Sequence, residues 1–226
     1  MKVLHVAESI NKSSGGVGAV INQLHRGLRK KGVESNIVSQ DAINTMSLSN
    51  NINDKEKEGY FHIHHNLEQL LNKINPELIH IHGLWNTYCK PCIKFSHENK
   101  VKIILSPHGM THPWALNKSK IKKKIYKFFV LNNVLKNLDG MHALTNEESE
   151  SIKAFTNTTS KVYIVPNPTE MHKKDIFLNN RKNIIFMGRI AEQKGINKIL
   201  DLWSEMFKEN QCLGNTLNIY GDGEGL

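Results

Sequence analysis

Two basic residues beside the start of a helix are the strongest candidates for chemistry in the sequence. Arg189 follows the apolar run 184–187, and Lys194 comes shortly before helical spacing of apolar residues begins at Ile196. Both side chains can reach a diphosphate, and the positive end of the helix dipole adds to the attraction. The segment therefore predicts half of an anion-binding site.

Small and polar residues also follow predicted strands near the start and middle of the chain. Gly15 and Gly16 lead into a helix, so their backbone can approach a phosphate or a sugar, although a tight turn explains the pair equally well. His82 and His108 stand at or just beyond the ends of strands, where ligands bind in open parallel sheets. An imidazole there can donate to a sugar hydroxyl or stabilise developing charge, although a single histidine is more commonly structural.

Two further motifs suggest metal or redox chemistry. His80 and His82 share a strand face, but no downstream carboxylate stands at metal-ligand spacing, which argues against a metal site. Cys89 and Cys92 have the C-x-x-C spacing of redox pairs. No second pair completes a zinc site and Cys212 is remote, so two thiols that face the core or a loop are the favoured interpretation.

The segment 118–129 concentrates positive charge. It interleaves six lysines, among them Lys122, Lys123 and Lys124, with apolar residues. This pattern is typical of a helix that lies on an anionic membrane, and a solvated basic face over an ordinary core contact explains it equally well. Nucleic acid is a weaker alternative, because no RNP-like, zinc-finger or clear helix-turn-helix signature accompanies the charge.

The composition indicates a globular protein with an anionic partner. The 226 residues include 30 Lys and Arg against 21 Asp and Glu, a formal net charge of +9, so nucleic acid, anionic lipid and nucleotide sugars all qualify. No apolar run approaches the roughly 18 residues of a membrane span, and the first residues do not form a secretory signal. Three cysteines make no disulfide framework, which favours a reducing, cytoplasmic location.

The elements that must position these residues alternate between short β-type runs and helical periodicities. This alternation predicts an α/β fold, a doubly wound parallel sheet with helices on both faces. The prolines of 166–168 and the polar segment after them predict a linker. We therefore expect a Rossmann-like domain over 1–168, a linker over 169–182, and over 183–226 the truncated start of a second Rossmann-like domain.

Two helices bear on the site. Apolar residues between 121 and 138 recur at helical spacing and predict a long helix. Thr145 and Glu148 stand at capping-box spacing, which predicts that another helix begins there.

Together these residues resemble the large family of retaining, GT-B-fold glycosyltransferases, family 4-like (group 1), that build bacterial surface polysaccharides from nucleotide sugars. The resemblance runs almost from end to end, and its segments are individually weak but specific in order and spacing. They are Gly15-Gly16, 80–85, 106–110, 113–116, 143–145 with Glu148, 165–167, 188–189 with 194–195, and 221–224.

The resemblance implies a role for each end of the chain. Arg189 and Lys194 would hold the donor diphosphate, the Gly15-Gly16 loop would close over it, and His108 would contact the transferred sugar as the catalytic residue. The two cations would stabilise the charge that builds up on the leaving phosphate.

The resemblance also implies a pocket and an activity. His82, Trp114 and Asn167 are candidates for an acceptor or sugar pocket. The expected reaction moves a sugar from a nucleotide sugar to a lipid-linked or polysaccharide acceptor, at the inner membrane face and with no metal or cofactor. The family's second domain normally supplies two glutamates and the nucleotide-base pocket, which this sequence does not contain. A non-catalytic glycan- or membrane-binding module, or one half of a split transferase, therefore remains an alternative.

Overall fold

The computed structural model describes most of the chain, which forms two compact units, Met1–Met171 and His172–Leu226. The predicted linker over 169–182 lies outside the described residues apart from Thr169, so the predicted domain boundaries stay a prediction. The described residues are 1–11, 16–41, 59–62, 67–117, 119–156, 160–169, 183–209, 211 and 214–223.

The first unit is built on a seven-stranded parallel sheet with the order β3-β2-β1-β4-β5-β6-β7. This confirms the predicted Rossmann-like fold. The strand order reverses between β1 and β4, which opens a crevice at the carboxyl ends of these two strands. The strands are β1 (Lys2–Ala7), β2 (Glu34–Ser39), β3 (Tyr60–His62), β4 (Leu78–His82), β5 (Lys102–Ser106), β6 (Gly140–Ala143) and β7 (Val162–Ile164).

Helices connect these strands. Basic residues in the last turn of the first helix, Arg29 and Lys30, complement the helix dipole, and Gly32 follows at φ 76°. The helices are α1 (Gly16–Lys30), α2 (Leu67–Ile74), α3 (Cys89–Asn99), α4 (Pro113–Asn117), α5 (Lys120–Tyr126), α6 (Asn132–Lys136) and α7 (Asn146–Thr156), with a π-helical turn at Lys127–Leu131 between α5 and α6.

The two faces of the sheet differ in chemistry, because successive side chains of a strand alternate between them. One face is an apolar core closed by α2, α3, α6 and α7, in which each fully buried leucine or isoleucine contributes about 1.5–3 kcal/mol. On the opposite face α1 packs Val17 and Ile21 against Ala7 and Ile37. That second face also carries polar side chains near the carboxyl ends of the strands: His5, His80, His82, Ser106 and His142.

The predicted long helix between 121 and 138 is divided by the π-helical turn. Before the turn, Ile121 is 76% exposed and Ile125 is also exposed, and within it Phe128 is 71% exposed and Phe129 is exposed too. After it, Leu135 and Leu138 are buried in the core. The apolar residues that predicted one helix therefore do not share one buried face.

The second unit is one parallel strand-helix-strand repeat, as the spacing predicts. It comprises β8 (Asn183–Met187), α8 (Ile196–Lys208) and β9 (Thr216–Tyr220), and a 3-10 turn at Glu192–Lys194 precedes α8. The loops after the two strands remain paired, since Gly188 N donates to Tyr220 O at 3.0 Å and Ile190 N to Asp222 O at 2.9 Å. A Cβ at Gly221 would overlap the carbonyl oxygen of Gly188, so the pairing requires glycine there.

Among the described residues, no helix combines the length and the hydropathy that crossing a bilayer requires.

Candidate functional site

A cavity of about 310 Å³ lies in the crevice between the carboxyl ends of β1 and β4. Two other depressions, of about 370 and 800 Å³, lie at the amino ends of β5 and β6 and among α2, α3 and α6. Ligands of open α/β sheets bind at the carboxyl-end crevice, so the cavity there is the candidate site despite its smaller volume. Its lining includes Glu8, Ser9, Val17, His82, Trp85 and Met110.

Asp41 fixes the loop after β1, which forms one wall of the cavity. Its carboxylate accepts hydrogen bonds from Ser9 Oγ at 2.6 Å, Ile10 N at 2.9 Å, Asn11 N at 3.2 Å and Ser39 Oγ at 3.1 Å. Burial alone raises the pKa of Asp41, but these donors outweigh burial and hold the pKa below its ordinary value. The loop is therefore built around a charged carboxylate.

The loop after β5 forms a tight turn with His108 in a left-handed conformation. His108 has φ 52° and Gly109 has φ 77°. For a residue other than glycine this conformation costs on the order of 1–2 kcal/mol, so surrounding contacts must hold it in place. The turn presents the His108 side chain next to His82 at the end of β4.

Glu148 supplies the contacts that hold this turn. Its buried carboxylate accepts Gly109 N at Oε1, 2.6 Å, and Leu144 N at Oε2, 2.7 Å, so it ties the loop after β5 to the loop after β6. Glu148 N donates to Thr145 Oγ1 at 3.1 Å, which confirms half of the predicted capping box. The other half is altered, because the carboxylate takes the amide of Leu144 rather than that of Thr145.

His108, His82 and His5 form a row of hydrogen-bonded imidazoles. His108 Nε2 lies 2.9 Å from His82 Nδ1, and the two rings stack with centroids 5.1 Å apart and 16° between their planes. His82 Nε2 lies 3.1 Å from His5 Nδ1. The row joins His108 to His82 at the cavity wall and to His5 on the buried face of β1, so the orientation of His108 depends on His82 and, through it, on His5.

A second hydrogen-bonded row crosses β4, β5 and β6. His80 Nε2 and His142 Nδ1 each lie 2.7 Å from Ser106 Oγ, and His142 Nε2 lies 2.7 Å from the carbonyl oxygen of Val165. A carbonyl only accepts, so in neutral rings the His142 proton sits on Nε2 and Ser106 donates to His142 Nδ1. Ser106 then accepts from His80, which places the His80 proton on Nε2 and a lone pair on Nδ1.

His5, His80, His82 and His108 are neutral at physiological pH. Burial lowers the pKa of His5 to about 3, and burial with the neighbouring imidazoles lowers the pKa values of His80 and His82 well below the ordinary value. Burial lowers the pKa of His108 to about 4 against the opposing effect of the Glu148 carboxylate. The site therefore offers hydrogen-bonding groups and uncharged nitrogen ligands rather than imidazolium ions.

A family model described as Glycosyltransferase Family 4 matches residues 14–173, which is well over half of the chain. The chain belongs to glycosyltransferase family 4. No curated protein sequence matches this family 4 chain significantly.

Solved structures of proteins that bind UDP or act on UDP-sugars share the fold. The Anabaena protein HepE in complex with UDP matches with a TM-score of 0.67 and 11% identity, over 100% of this chain and 70% of that one. An alpha-glucosyltransferase in complex with UDP and a 13-mer DNA matches with a TM-score of 0.63 and 14% identity, over 97% and 56%. The UDP-GlcNAc 2-epimerase from Methanocaldococcus jannaschii matches with a TM-score of 0.52 and 12% identity, over 97% and 65%. At these identities the similarity shows the fold alone.

The residues predicted from the sequence of this family 4 chain lie in different settings. His82 lines the cavity, whereas Trp114 is 52% exposed on α4 and Asn167 is exposed after β7. Gly16 begins α1 and a Cβ there would meet no atom within 4 Å, which leaves its backbone accessible. Gly15 lies outside the described residues.

The three lysines predicted to face a membrane do not share one environment. Lys122 and Lys124 are exposed on α5. Lys123 is half-buried, donates to the carbonyl oxygen of Ala115 and lies 5.4 Å from the ring centre of Trp85. It therefore contributes to packing within the first unit.

Arg189 and Lys194 belong to the second unit. Both are exposed, Arg189 in the loop after β8 and Lys194 in the 3-10 turn before α8. Gly195, with φ 69°, links that turn to the helix. Within this unit the two cations follow the strand and precede the helix, as the sequence predicts.

The C-x-x-C pair lies in the apolar core of the first unit. Cys89 and Cys92 are free thiols and both are fully buried. Burial raises the pKa of Cys89 to about 12, and burial together with Cys89 raises that of Cys92 further. Redox exchange requires a thiolate, so these thiols pack as small apolar side chains.

Sequence reasoning missed the partners of the predicted residues. His5, Ser106 and His142 reach the histidine rows only through strand register, and Glu148 had been assigned only to a helix cap. Alternating polarity along β4 was an available signal, since His80 and His82 both interrupt an otherwise apolar strand.

Proposed function

We propose that this chain is the acceptor-side part of a retaining glycosyltransferase of cell-surface polysaccharide biosynthesis, together with the start of its donor-side unit. It would transfer a sugar from a nucleotide sugar to a lipid-linked or polysaccharide acceptor. The observation that carries the proposal is the cavity between β1 and β4, with His82 at its wall and His108 bonded to His82. UDP and UDP-glucose complexes of the Anabaena protein support a nucleotide-sugar donor.

His108 would recognise the transferred sugar as a neutral group. His82 holds its Nε2 at 2.9 Å, so a sugar hydroxyl would be bound through Nδ1. With a pKa lowered to about 4 by burial, the ring is not a proton source at neutral pH. Its contribution would be a positioned hydrogen bond that strengthens as charge develops at the reacting carbon, and such groups commonly account for about 10²–10³ in rate.

Arg189 and Lys194 would neutralise the donor diphosphate. Cleavage of the sugar-phosphate bond leaves negative charge on the departing nucleotide, and two cations at a helix start stabilise it. With these cations in place we propose that transfer needs no metal.

Donor binding is the first test. The folded chain is titrated by calorimetry with UDP, UDP-glucose and other nucleotide sugars, and we expect one site of micromolar to millimolar affinity. The Arg189→Ala and Lys194→Ala substitutions should each weaken binding at least tenfold, because each removes a charge-assisted hydrogen bond worth about 1.5–3 kcal/mol. Lys198→Ala and Lys208→Ala remove the same charge from α8 and should change affinity less than twofold. If all four variants lose the same affinity, the losses come from the net charge of the unit and not from contacts of Arg189 and Lys194 with the diphosphate.

Transfer is the second test, made with this chain or with a longer product of the same locus. His108→Ala should lower sugar transfer at least 10²-fold, whereas His112→Ala, half-buried in the same loop, should lower it less than threefold. Conversion of UDP-GlcNAc without any acceptor would favour an epimerase instead. A longer product of the same locus that bears the glutamate pair, is folded and transfers no sugar from any nucleotide donor would remove the transferase proposal.

We also propose that the chain binds its acceptor at the surface of an anionic membrane. Ile121, Ile125 and Phe128 form an exposed apolar surface on α5 and the π-helical turn, and exposed Lys122 and Lys124 flank it. Apolar side chains that enter the interface beside lysines that meet anionic headgroups are typical of peripheral membrane binding. The chain would then act in the cytoplasm, at the inner face of the membrane.

Vesicle sedimentation tests this surface. The chain should bind phosphatidylglycerol-containing vesicles and not neutral ones. The double substitution of Lys122 and Lys124 by alanine should weaken binding about tenfold or more, at about 1 kcal/mol per lysine. The same change at exposed Lys30 and Lys31 is the matched control. Binding of duplex DNA in place of vesicles would contradict the expectation that the partner is not nucleic acid.

A further inference from the structure

Three histidine side chains converge on one face of the sheet at the strands that border the cavity. In the register of β1 with β4, His5 lies opposite His80, and His82 follows two residues later on the same face. The ring centroids are 5.4 Å apart for His5 and His80, 5.3 Å for His5 and His82, and 4.1 Å for His80 and His82. Strand pairing therefore brings together three imidazoles that are distant in sequence.

The spacing of their nitrogens suits a metal ion. Each of the three rings offers a ligand nitrogen that lies within 4.8 Å of those of the other two. Zinc–imidazole bonds of about 2.0–2.1 Å place neighbouring nitrogens of a tetrahedral site about 3.4 Å apart. His5 Nδ1 and His82 Nε2 are already 3.1 Å apart, close to that spacing. Within the part of the chain that the structure describes, no other group of histidine, cysteine and acidic side chains is as close.

The outer nitrogens are held as they are in metal-binding histidines. His82 Nδ1 bonds to His108 Nε2 at 2.9 Å, and His80 Nε2 bonds to Ser106 Oγ at 2.7 Å. Each bond fixes one ring nitrogen and directs the other towards the shared centre, which is the usual second contact of a ligating imidazole. In neutral rings, Ser106 Oγ donates to His142 and accepts from His80 Nε2. This leaves the lone pair of His80 on Nδ1, the nitrogen that a metal would use.

His5 is buried together with the other two rings. It is 1% exposed, and His82 and His80 are 3% and 7% exposed. A metal at the shared centre would take His5 Nδ1, which already faces His82 Nε2 at 3.1 Å. The Nε2 of His5, which has no hydrogen-bond partner among the described residues, lies on the other side of the ring and takes no part in the site.

We propose that His5, His80 and His82 bind one divalent transition-metal ion of the zinc class. The ion would fasten β1 to β4 beneath the cavity, with His82 as the ligand shared between the metal and the cavity wall. Neutral imidazoles suit zinc, nickel and copper rather than calcium or magnesium. The Glu148 carboxylate accepts a hydrogen bond from Gly109 N and lies close enough to His108 to affect its charge. It therefore places negative charge near the ring that bonds to His82. The proposed site has three protein ligands and does not depend on the proposed transfer reaction.

This inference reverses the expectation that His80 and His82 hold no metal. That expectation considered spacing along the chain and found no third ligand downstream. The third ligand instead lies upstream, at His5, and reaches the pair through parallel register.

The test uses the tag-free chain, stripped with a chelator and titrated with Zn²⁺ alone against a chromophoric competitor. We expect one ion per chain, and His80→Gln and His82→Gln should each weaken binding at least tenfold. His25→Gln, buried outside the triad, and His97→Gln, exposed on α3, should change it less than threefold. More than one ion per chain, or equal binding by His80→Gln and wild type, would overturn the proposal.

Two measurements on the unsubstituted chain decide the matter if the variants do not fold. Zn²⁺ at 100 times its dissociation constant should raise Tm by about 5 °C or more relative to the stripped chain. Co²⁺ should give the intense visible bands of a four-coordinate site. An unchanged Tm, or the weak spectrum of six-coordinate Co²⁺, would show that the triad is only a hydrogen-bonded part of the core.

Discussion

Replacing Glu148 by glutamine should destabilise the first unit far more than replacing its neighbour Glu147. The Glu148 carboxylate accepts two backbone amides, Gly109 N at 2.6 Å and Leu144 N at 2.7 Å, and it is buried. Glutamine keeps the shape of the side chain but has one acceptor oxygen and one donor nitrogen. One amide would keep a weaker bond, and the other would face a second donor.

The magnitude follows from these two bonds. A hydrogen bond to a charged group contributes about 1.5–3 kcal/mol, and a neutral one about 1 kcal/mol. Losing one charged bond and weakening the other gives about 2–4 kcal/mol for Glu148→Gln. Both glutamates stand in the first turn of α7, so Glu147→Gln loses only the helix-dipole contribution of about 0.3–1 kcal/mol. The difference between the variants should therefore be about 2–3 kcal/mol.

Urea unfolding at pH 7, followed by tryptophan fluorescence, measures this difference. Trp85 and Trp114 lie in the first unit, so a Trp203→Phe background removes the emission of the second unit. His108 should also lose its fixed orientation, which lowers donor or sugar binding in Glu148→Gln but not in Glu147→Gln. Free energies of unfolding that agree within about 0.5 kcal/mol would refute the assignment of Glu148 as the tie between the two loops.

Three further predictions concern other parts of the first unit. The pKa of Asp41 lies below its ordinary value, so its charged form stabilises the fold. Asp41→Asn should therefore lower the free energy of unfolding by about 1–3 kcal/mol at pH 7. In urea unfolding, the difference from wild type should shrink as pH falls below about 4, where Asp41 becomes protonated. In a Cys212→Ser background, Cys89 and Cys92 should react with a disulfide reagent at pH 8 more than about 10³-fold slower than an exposed thiol. Gly140→Ala should cost about 1–3 kcal/mol in thermal unfolding, because its Cβ would lie 2.9 Å from a tyrosine ring carbon and 3.2 Å from a carbonyl oxygen.

Each of these has an outcome that contradicts it. A difference in the free energy of unfolding between wild type and Asp41→Asn that is constant from pH 7 to pH 3 would show that the charge of Asp41 does not stabilise the loop. Rapid labelling of the native thiols would place them at an accessible surface. An unchanged Tm in Gly140→Ala would mean that the neighbouring strand can move away from the added Cβ without a loss of stability.

The alternation of strands and helices was predicted because apolar spacing is a local property, although the short strand β3 (Tyr60–His62) was not. His82 and His108 were found for the same reason, since each follows a strand whose end is visible in the sequence. His5 was not found, because nothing near it in the chain indicates that β1 pairs with β4 in the register that places it opposite His80. Contacts between strands depend on sheet order, which local patterns do not contain.

The exposed apolar surface shows a second limit. Ile121 and Leu135 have the same character and fit the same helical spacing, yet one is 76% exposed and the other 4%. Periodicity identifies residues that share a face but does not say which face meets the core. Glu148 shows a third limit, because the spacing that predicted a helix cap could not show that its carboxylate also binds the loop of another strand.

The direction that the exposed apolar surface faces depends on the number of residues in the π-helical turn at Lys127–Leu131. Asn132 N donates to Lys127 O, five residues back, so the turn holds one residue more than an α-helical turn. Deleting one residue would restore α-helical pairing and rotate the preceding segment by about 100° relative to α6. The residues now in solvent would then move around the helix axis while the sheet stayed intact. The position of this surface therefore depends on the number of residues in the turn as well as on their type, and Tyr126, whose hydroxyl donates to Asn86 O, would move with it.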